Sequence, residues 1–299
     1  MTNQINKRHM PHTVQHALHA LVMKINEPQM SPEELAESMA ADDREIKQPV
    51  LTQLKNLDEL LGGMNPGELV IVSGVDHGMC SDLIHYVAAN VSLKSKLPIA
   101  LVAPNIPVDE SLLSIFCSLE QINKHRMLTG ELSDSDWPKL TSAMSRLQES
   151  SLYMYGDEYS NLSEICSHLS GLHQYCGLGA IFVDSIDSFE ADGDIQQAQV
   201  TSTIQALKPL ANELCVPIIV SMGTDELREL PGDSKPTLSD LNLTEENLKL
   251  ADRVFVLQGN KMSADDDAQL VSASLVQNAF GANGVASLHY HEDWRLFTS

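Results

Sequence analysis

The chain has 299 residues, with 41 acids against 19 lysines and arginines; the net charge of −22 weighs against non-specific binding to DNA or to an anionic membrane surface. Hydrophobic residues make up 43% of it, enough for a sizeable core. Its five cysteines, Cys80, Cys117, Cys166, Cys176 and Cys215, are odd in number and widely spaced with no CxxC pair, so neither a zinc ribbon nor a disulfide framework is implied.

The first 30 residues hold no apolar leader-like run and no run approaches about 18 apolar residues, so a soluble, cytoplasmic protein with reduced thiols and no membrane contact is expected. Residues 11–26 predict an amphipathic helix, with Val14, Leu18, Leu21 and Ile25 at helical spacing. His9, His12, His16 and His19 share one face of that helix. Such histidines can bind Zn²⁺, but a polar, pH-sensitive helix shoulder is the preferred reading. Ser31-Pro32-Glu33-Glu34 reads as a helix start, with Ser as N-cap and Pro at the first helical position. That helix runs to about Lys47 and Pro49 closes it, so residues 1–49 form a helical N-terminal segment.

From residue 50 the texture changes. Short apolar strands are expected at Leu69–Val72, Ile99–Val102, Ile181–Val183, Val216–Val220 and Arg253–Leu257, with helical patterns between the first four. This alternation predicts an α/β fold with a mostly parallel sheet covered by helices on both faces. Residues 269–277 and 285–290 read as an antiparallel edge hairpin, with Asp265-Asp266-Asp267 in a solvated loop before it.

The first strand runs into Val72-Ser73-Gly74-Val75-Asp76-His77-Gly78-Met79-Cys80-Ser81, the strand–glycine turn–helix layout of a phosphate-binding loop. In the working motif GxxxxGK[ST], backbone N–H groups wrap the phosphates, the lysine neutralises the β and γ phosphates and the hydroxyl holds Mg²⁺. Gly78 keeps the frame, but Met79 stands at the lysine position and Cys80 at the hydroxyl position. Asp76 adds a negative charge inside the intended anion nest. Alone, this loop is a weak match that a plain strand–turn–helix would explain.

The surrounding residues carry a stronger signal. The stretch from Thr52 through Leu57-Asp58, Gly62-Gly63 and Pro66-Gly67 to Ser73 resembles the approach to the motor domain of DnaB-type replicative helicases and of their RecA, RadA and KaiC relatives. The DnaB resemblance continues through Arg126-Met-Leu-Thr129-Gly130, Asp136-Trp137, Leu178 to Asp184, Leu207 to Ser221, Ser239-Asp240-Leu241, Ala251-Asp252, Gly281 to Gly284 and Trp294 to Phe297. It covers roughly residues 50–299 and implies a RecA-like P-loop NTPase fold; Trp137 and Ser239-Asp240-Leu241 fit the helicase branch better than the recombination or clock branches. In this reading Ser73, Gly74, Gly78, Met79, Cys80 and Asp184 form a degenerate nucleotide site.

The departures from the family pattern fall on the chemistry. The catalytic glutamate position is Asn105, whose amide cannot act as a base at neutral pH. The γ-phosphate-sensing glutamine falls on Met222, and the lysine and arginine that reach the neighbouring subunit fall on Gln277 and Ala279. Asp184, the Mg²⁺-associated acid, remains, and a strand-end acid capping the next turn is the preferred reading of it over a metal ligand. No catalytic residue and no cofactor is therefore expected, with ATP or ADP and Mg²⁺ held at Asp184 as the lesser alternative. The stretches that in the family hold single-stranded DNA, Ser185–Val200 and Met222–Pro236, are rich in acids, which makes DNA binding doubtful. The resemblance further implies that the family's N-terminal domain is absent and that the 11–26 helix docks on a neighbour. The expectation is an oligomerising pseudo-helicase, acting as a homo-oligomer or with a related hexameric ATPase; the alternative is a divergent, working replicative helicase.

Overall fold

The computed structural model describes residues 48–74, 76–189, 196–223, 236–241, 243–259 and 267–299. The expected helices at 11–26 and 31–47, the four N-terminal histidines, residues 190–195 and 224–235 of the two acidic stretches, and Asp265 and Asp266 lie outside the described residues.

The elements follow the expected alternation. Helix α1 (Lys55–Leu61) leads to β1 (Leu69–Gly74) and α2 (His77–Asn90). Then come β2 (Ile99–Val102), α3 (Val108–Glu120), α4 (Lys124–Thr129), α5 (Asp136–Gln148), β3 (Leu152–Tyr155) and α6 (Leu162–Cys176). These are followed by β4 (Ala180–Val183), α7 (Gln196–Leu214), β5 (Ile218–Gly223), α8 (Glu245–Leu250) and β6 (Arg253–Gly259). The chain closes with β7 (Gln269–Asn278), β8 (Gly284–His291) and β9 (Leu296–Thr298).

Among the described residues these strands form one sheet in the order β3-β2-β4-β5-β1-β6-β7-β8-β9. The six strands from β3 to β6 are parallel, and β7, β8 and β9 add antiparallel. The central strands are buried on both faces because successive side chains alternate. Val70, Val72, Ile99, Leu101 and Phe182 pack on one side with α2, α3 and α5, while Leu69, Ile71, Ala100, Val102 and Ile181 pack on the other with α6 and α7.

The structure differs from the sequence reading at three places. It adds β3, whose Leu152 and Met154 are buried while Tyr153 and Tyr155 are half-buried, and the three-residue β9. β5 starts at Ile218 rather than Val216, since Pro217 has no N–H for the ladder; its carbonyl still accepts from Ile181 N at 3.0 Å.

The segment before β1 is clamped by charge. Arg253 and Glu68 are both buried and pair at 3.1 Å, and Arg253 Nη1 donates to Gly63 O at 2.8 Å. Burial pushes the Glu68 carboxyl above its ordinary value, against the hydrogen bond from Asn65 N and the pull of Arg253. Gly63 is required there: its φ is +89°, and a Cβ would lie 2.6 Å from Pro49 Cβ.

Candidate functional site at the carboxyl end of the parallel strands

β1 ends at Gly74 and α2 begins at His77, so the phosphate-loop layout exists as expected. What fills it differs from a working loop. Asp76 is the N-cap: its carboxylate accepts from Met79 N at 3.2 Å, and its carbonyl accepts from Cys80 N at 3.2 Å. A helix N-terminus attracts anions through its free N–H groups and its dipole. Here the chain supplies the anion itself.

Met79 is 4% exposed and belongs to the core beneath α2, so its side chain leaves the loop. Cys80 is also buried, with its Sγ against Gly74, where a Cβ would lie 2.9 Å from it. Burial, with Asp184, Asp76 and Asp82 nearby, pushes the Cys80 thiol far up, so it stays neutral. The His77 ring lies on the backbone of Gly223 at the end of β5, in space that any Cβ there would occupy.

Asp184 follows β4 and is 1% exposed. Both its oxygens are engaged: Ser81 Oγ donates to Oδ2 at 2.5 Å and Ser221 Oγ donates to Oδ1 at 2.6 Å. Ser185 N, which opens the turn beyond β4, donates to Ser221 Oγ at 2.8 Å. The expectation that Asp184 itself caps that turn is corrected on this point: Ser221 does so, and Asp184 orients Ser221. His85 Nδ1 lies 2.8 Å from Ser81 O and 3.7 Å from Asp184 Oδ2, while its buried Nε2 has no hydrogen-bond partner among the described residues.

A second buried group lies one residue further along α2. Asp82 accepts from Tyr290 Oη at 2.5 Å and from the Arg295 guanidinium. Burial pushes the Asp82 carboxyl up, opposed first by Arg295 and then by the hydrogen bond from Tyr290. A Cβ on Gly78 would come within 3.9 Å of Arg295 Nη1, so a guanidinium from the far end of the chain reaches this loop.

The structure brings Ser73, Gly74, Gly78, Met79, Cys80 and Asp184 together at the carboxyl ends of the parallel strands, where ligands of open α/β sheets bind. Exposed Asn105 follows β2 and buried Met222 ends β5 at this same rim. Gln277 and Ala279 lie at the opposite end. Gln277 Nε2 donates to Leu248 O at 2.8 Å and Ala251 O at 2.5 Å, and Ala279 N donates to Asp252 O at 2.9 Å, just before the start of β6.

The comparisons with known proteins coincide with this layout. Residues 49–299 match the family model described as the DnaB-like helicase C terminal domain. The chain belongs to this family. It is 25% identical over 253 residues to the replicative DNA helicase DnaC of Bacillus subtilis (strain 168), covering 83% of this chain and 56% of the relative. The replicative DNA helicase DnaB of Geobacillus stearothermophilus is 24% identical over the same length and shares. The chain thus spans just over half the length of these relatives. In fold it resembles a solved structure described as an ATPase domain, with a TM-score of 0.76 and 18% identity over 91% of this chain and 99% of that one. A DnaB-like replicative helicase described with its interactions with primase gives a TM-score of 0.75 at 18% identity, covering 91% of this chain and 67% of that one.

This DnaB-like domain therefore has the family's RecA-like architecture. The lysine position is core, a carboxylate sits at the helix N-terminus, and Arg295 is bound to Asp82. Among the described residues no group of three or more His, Cys, Asp or Glu could hold a metal ion. Sequence reasoning missed Ser81, Ser221, His85, Asp82, Tyr290 and Arg295. Only Ser81 offered a local signal, as a hydroxyl one residue past the expected place.

Proposed function

We propose that this DnaB-like domain does not turn over ATP and serves as an oligomerising binding or regulatory module in DNA replication or in plasmid or phage DNA metabolism. The observation that carries the reading is the self-occupied loop: Met79 in the core and the Asp76 carboxylate on the N-terminus of α2. An arginine finger alone is worth about 10³–10⁵ in rate. The family's lysine, hydroxyl, glutamate and finger positions are here Met79, Cys80, Asn105 and Ala279, a combined loss that a working ATPase would not survive. The partner is another copy of the chain or a related hexameric ATPase, engaged through residues 11–26. Primase, with which one structural relative is described, is a further partner class to test.

The test is a thermal-shift titration with Mg-ATP and Mg-ADP, run on the sample used for mass photometry. Ligand at 100 Kd stabilises a binder by about 2.7 kcal/mol. A defined oligomer with no shift is expected; a clear shift followed by DNA-stimulated phosphate release would overturn the reading.

One observation favours a second reading, a divergent helicase that unwinds DNA with ATP. Ser81 Oγ reaches Asp184 at 2.5 Å, which leaves a hydroxyl beside the Mg²⁺-associated acid one residue late. Measurable DNA-stimulated ATPase, abolished by Ser81→Ala, would establish it.

A further inference from the structure

The turn between β7 and β8 holds a chemically labile step that the nucleotide site does not use. Asn283-Gly284 is the only Asn-Gly sequence in the 299 residues. Asparagine is among the thermolabile residues. A glycine after it leaves the next backbone nitrogen open to approach, because no side chain shields that nitrogen. Asn283 is exposed and lies in the turn, one residue before β8 begins. A Cβ on Gly284 would lie 2.6 Å from Leu60 Cδ1, so packing against α1 favours the glycine and with it the labile step.

The Asn283 side chain also has a structural task. The ladder between β7 and β8 ends with Leu275 opposite Gly284. One residue beyond, Asn283 Nδ2 donates to Val276 O at 2.9 Å and adds a rung that no backbone pair supplies. Across the same turn Asn278 Nδ2 donates to Ala282 O at 3.0 Å. The β7 side is tied to the body of the protein through Gln277 and Ala279. Phe280, 55% exposed, stands between the two sides.

We propose that Asn283 is a self-modification site, which deamidates through a succinimide formed with Gly284. The Gly284 backbone nitrogen gives its proton to water or hydroxide and attacks Asn283 Cγ. A C–N bond forms, the carboxamide nitrogen takes a proton from water, and ammonia leaves. Water then opens the ring at either carbonyl, giving aspartate or isoaspartate; nothing is oxidised or reduced. Both products lack the N–H₂ that Val276 O accepts from, so the rung is lost and two oxygens face each other. Isoaspartate also lengthens the main chain by a methylene next to Gly284, where Leu60 closes the space. The bond to Val276 O must break before the carboxamide can turn, so the reaction proceeds from a locally opened turn. Modification thus loosens the turn that presents Phe280 and leaves the parallel sheet intact, whether or not the nucleotide site is active.

The test ages the purified full chain at pH 7 and at pH 9. Peptide mapping by mass spectrometry follows the amide-to-acid change at each asparagine, and an isoaspartyl methyltransferase assay detects isoaspartate. Conversion at Asn283 is expected to be at least tenfold faster than at Asn278, which borders the same turn but precedes Ala279, and faster at pH 9 than at pH 7. Asn283→Gln should form no product at this position in the same time. Asn283→Asp stands for the aspartate product: its amide hydrogens over residues 276–284 should exchange at least tenfold faster than in wild type, with α6 unchanged. Circular dichroism confirms that each variant is folded. The proposal is overturned if Asn283 in the folded wild type converts no faster than Asn278, or if both Asn283→Asp and the aged protein keep the wild-type exchange at the turn.

Discussion

The Arg295 guanidinium and the Asp82 carboxylate meet inside the protein, tying the second turn of α2 to the corner between β8 and β9. Asp82 is 2% exposed and the Arg295 side chain 18%. Removing one partner of a buried pair leaves an uncompensated charge and costs about 3–5 kcal/mol. Arg295→Met should therefore lower stability toward the lower end of that range, measured by urea denaturation. Asp82→Asn in the same background should recover much of the loss, since the neutral amide oxygen still accepts from Tyr290.

The pH dependence of Arg295→Met follows from the sign of the Asp82 shift. Its carboxyl is already raised by burial, and without Arg295 it rises further. A raised folded value favours the folded state below it, and that contribution is lost as pH rises through it. The deficit of Arg295→Met relative to wild type should be larger at pH 8 than at pH 5.

The buried place of Met79 makes a prediction about restoring the family's lysine. Met79→Lys puts an ammonium into a position that is 4% exposed and should cost on the order of several kcal/mol without ligand. Mg-ADP should still give no thermal shift, because Asp76 keeps the N-terminus of α2. A shift is expected only when Asp76→Gly is added. A full shift in Met79→Lys alone would show that the Asp76 carboxylate is no obstacle.

Retention of Asp184 has a structural cause in its two serine bonds. Asp184→Asn gives one of the two hydroxyls an N–H₂ in place of an acceptor. It should lower stability by about 1–3 kcal/mol in protein free of nucleotide. An unchanged denaturation midpoint would argue that the acid is kept for a ligand.

How much of this was legible in the sequence depended on whether the physics was local. Strands β1, β2 and β4 are short apolar runs buried on both faces, so composition alone marks them. β3 alternates buried Leu152 and Met154 with half-buried tyrosines, and four such residues leave too faint a period. β9 is only three residues long. At the site, the glycine turn followed from spacing and Asp184 from the family resemblance, while Asp76, read there as a charge inside the anion nest, proves to be the N-cap of α2. The Asp82–Arg295 pair spans 213 positions, and no local pattern joins two such residues. Ser81 was visible but unassigned, because the motif asks for the hydroxyl at Cys80.

A last prediction concerns Asp136 at the start of α5. Its Oδ2 accepts from Ser133 N at 2.8 Å and from Ser133 Oγ at 2.7 Å, and it pairs with Arg126 Nη2 at 2.7 Å. Burial alone would raise this carboxyl; the two Ser133 hydrogen bonds, then Arg126, outweigh it and hold the value below the ordinary 3.8. A depressed folded value stabilises the fold at every pH above the unfolded value, and the contribution is lost as pH falls through the folded one. Asp136→Ala should thus cost about 1–2 kcal/mol at neutral pH, chiefly through the lost hydrogen bonds from Ser133, since Arg126 is partly exposed. The gap between variant and wild type should stay constant from pH 7 to pH 5 and close below pH 3.8. A gap that widens on acidification would mean that the Asp136 carboxylate is not the stabilising form.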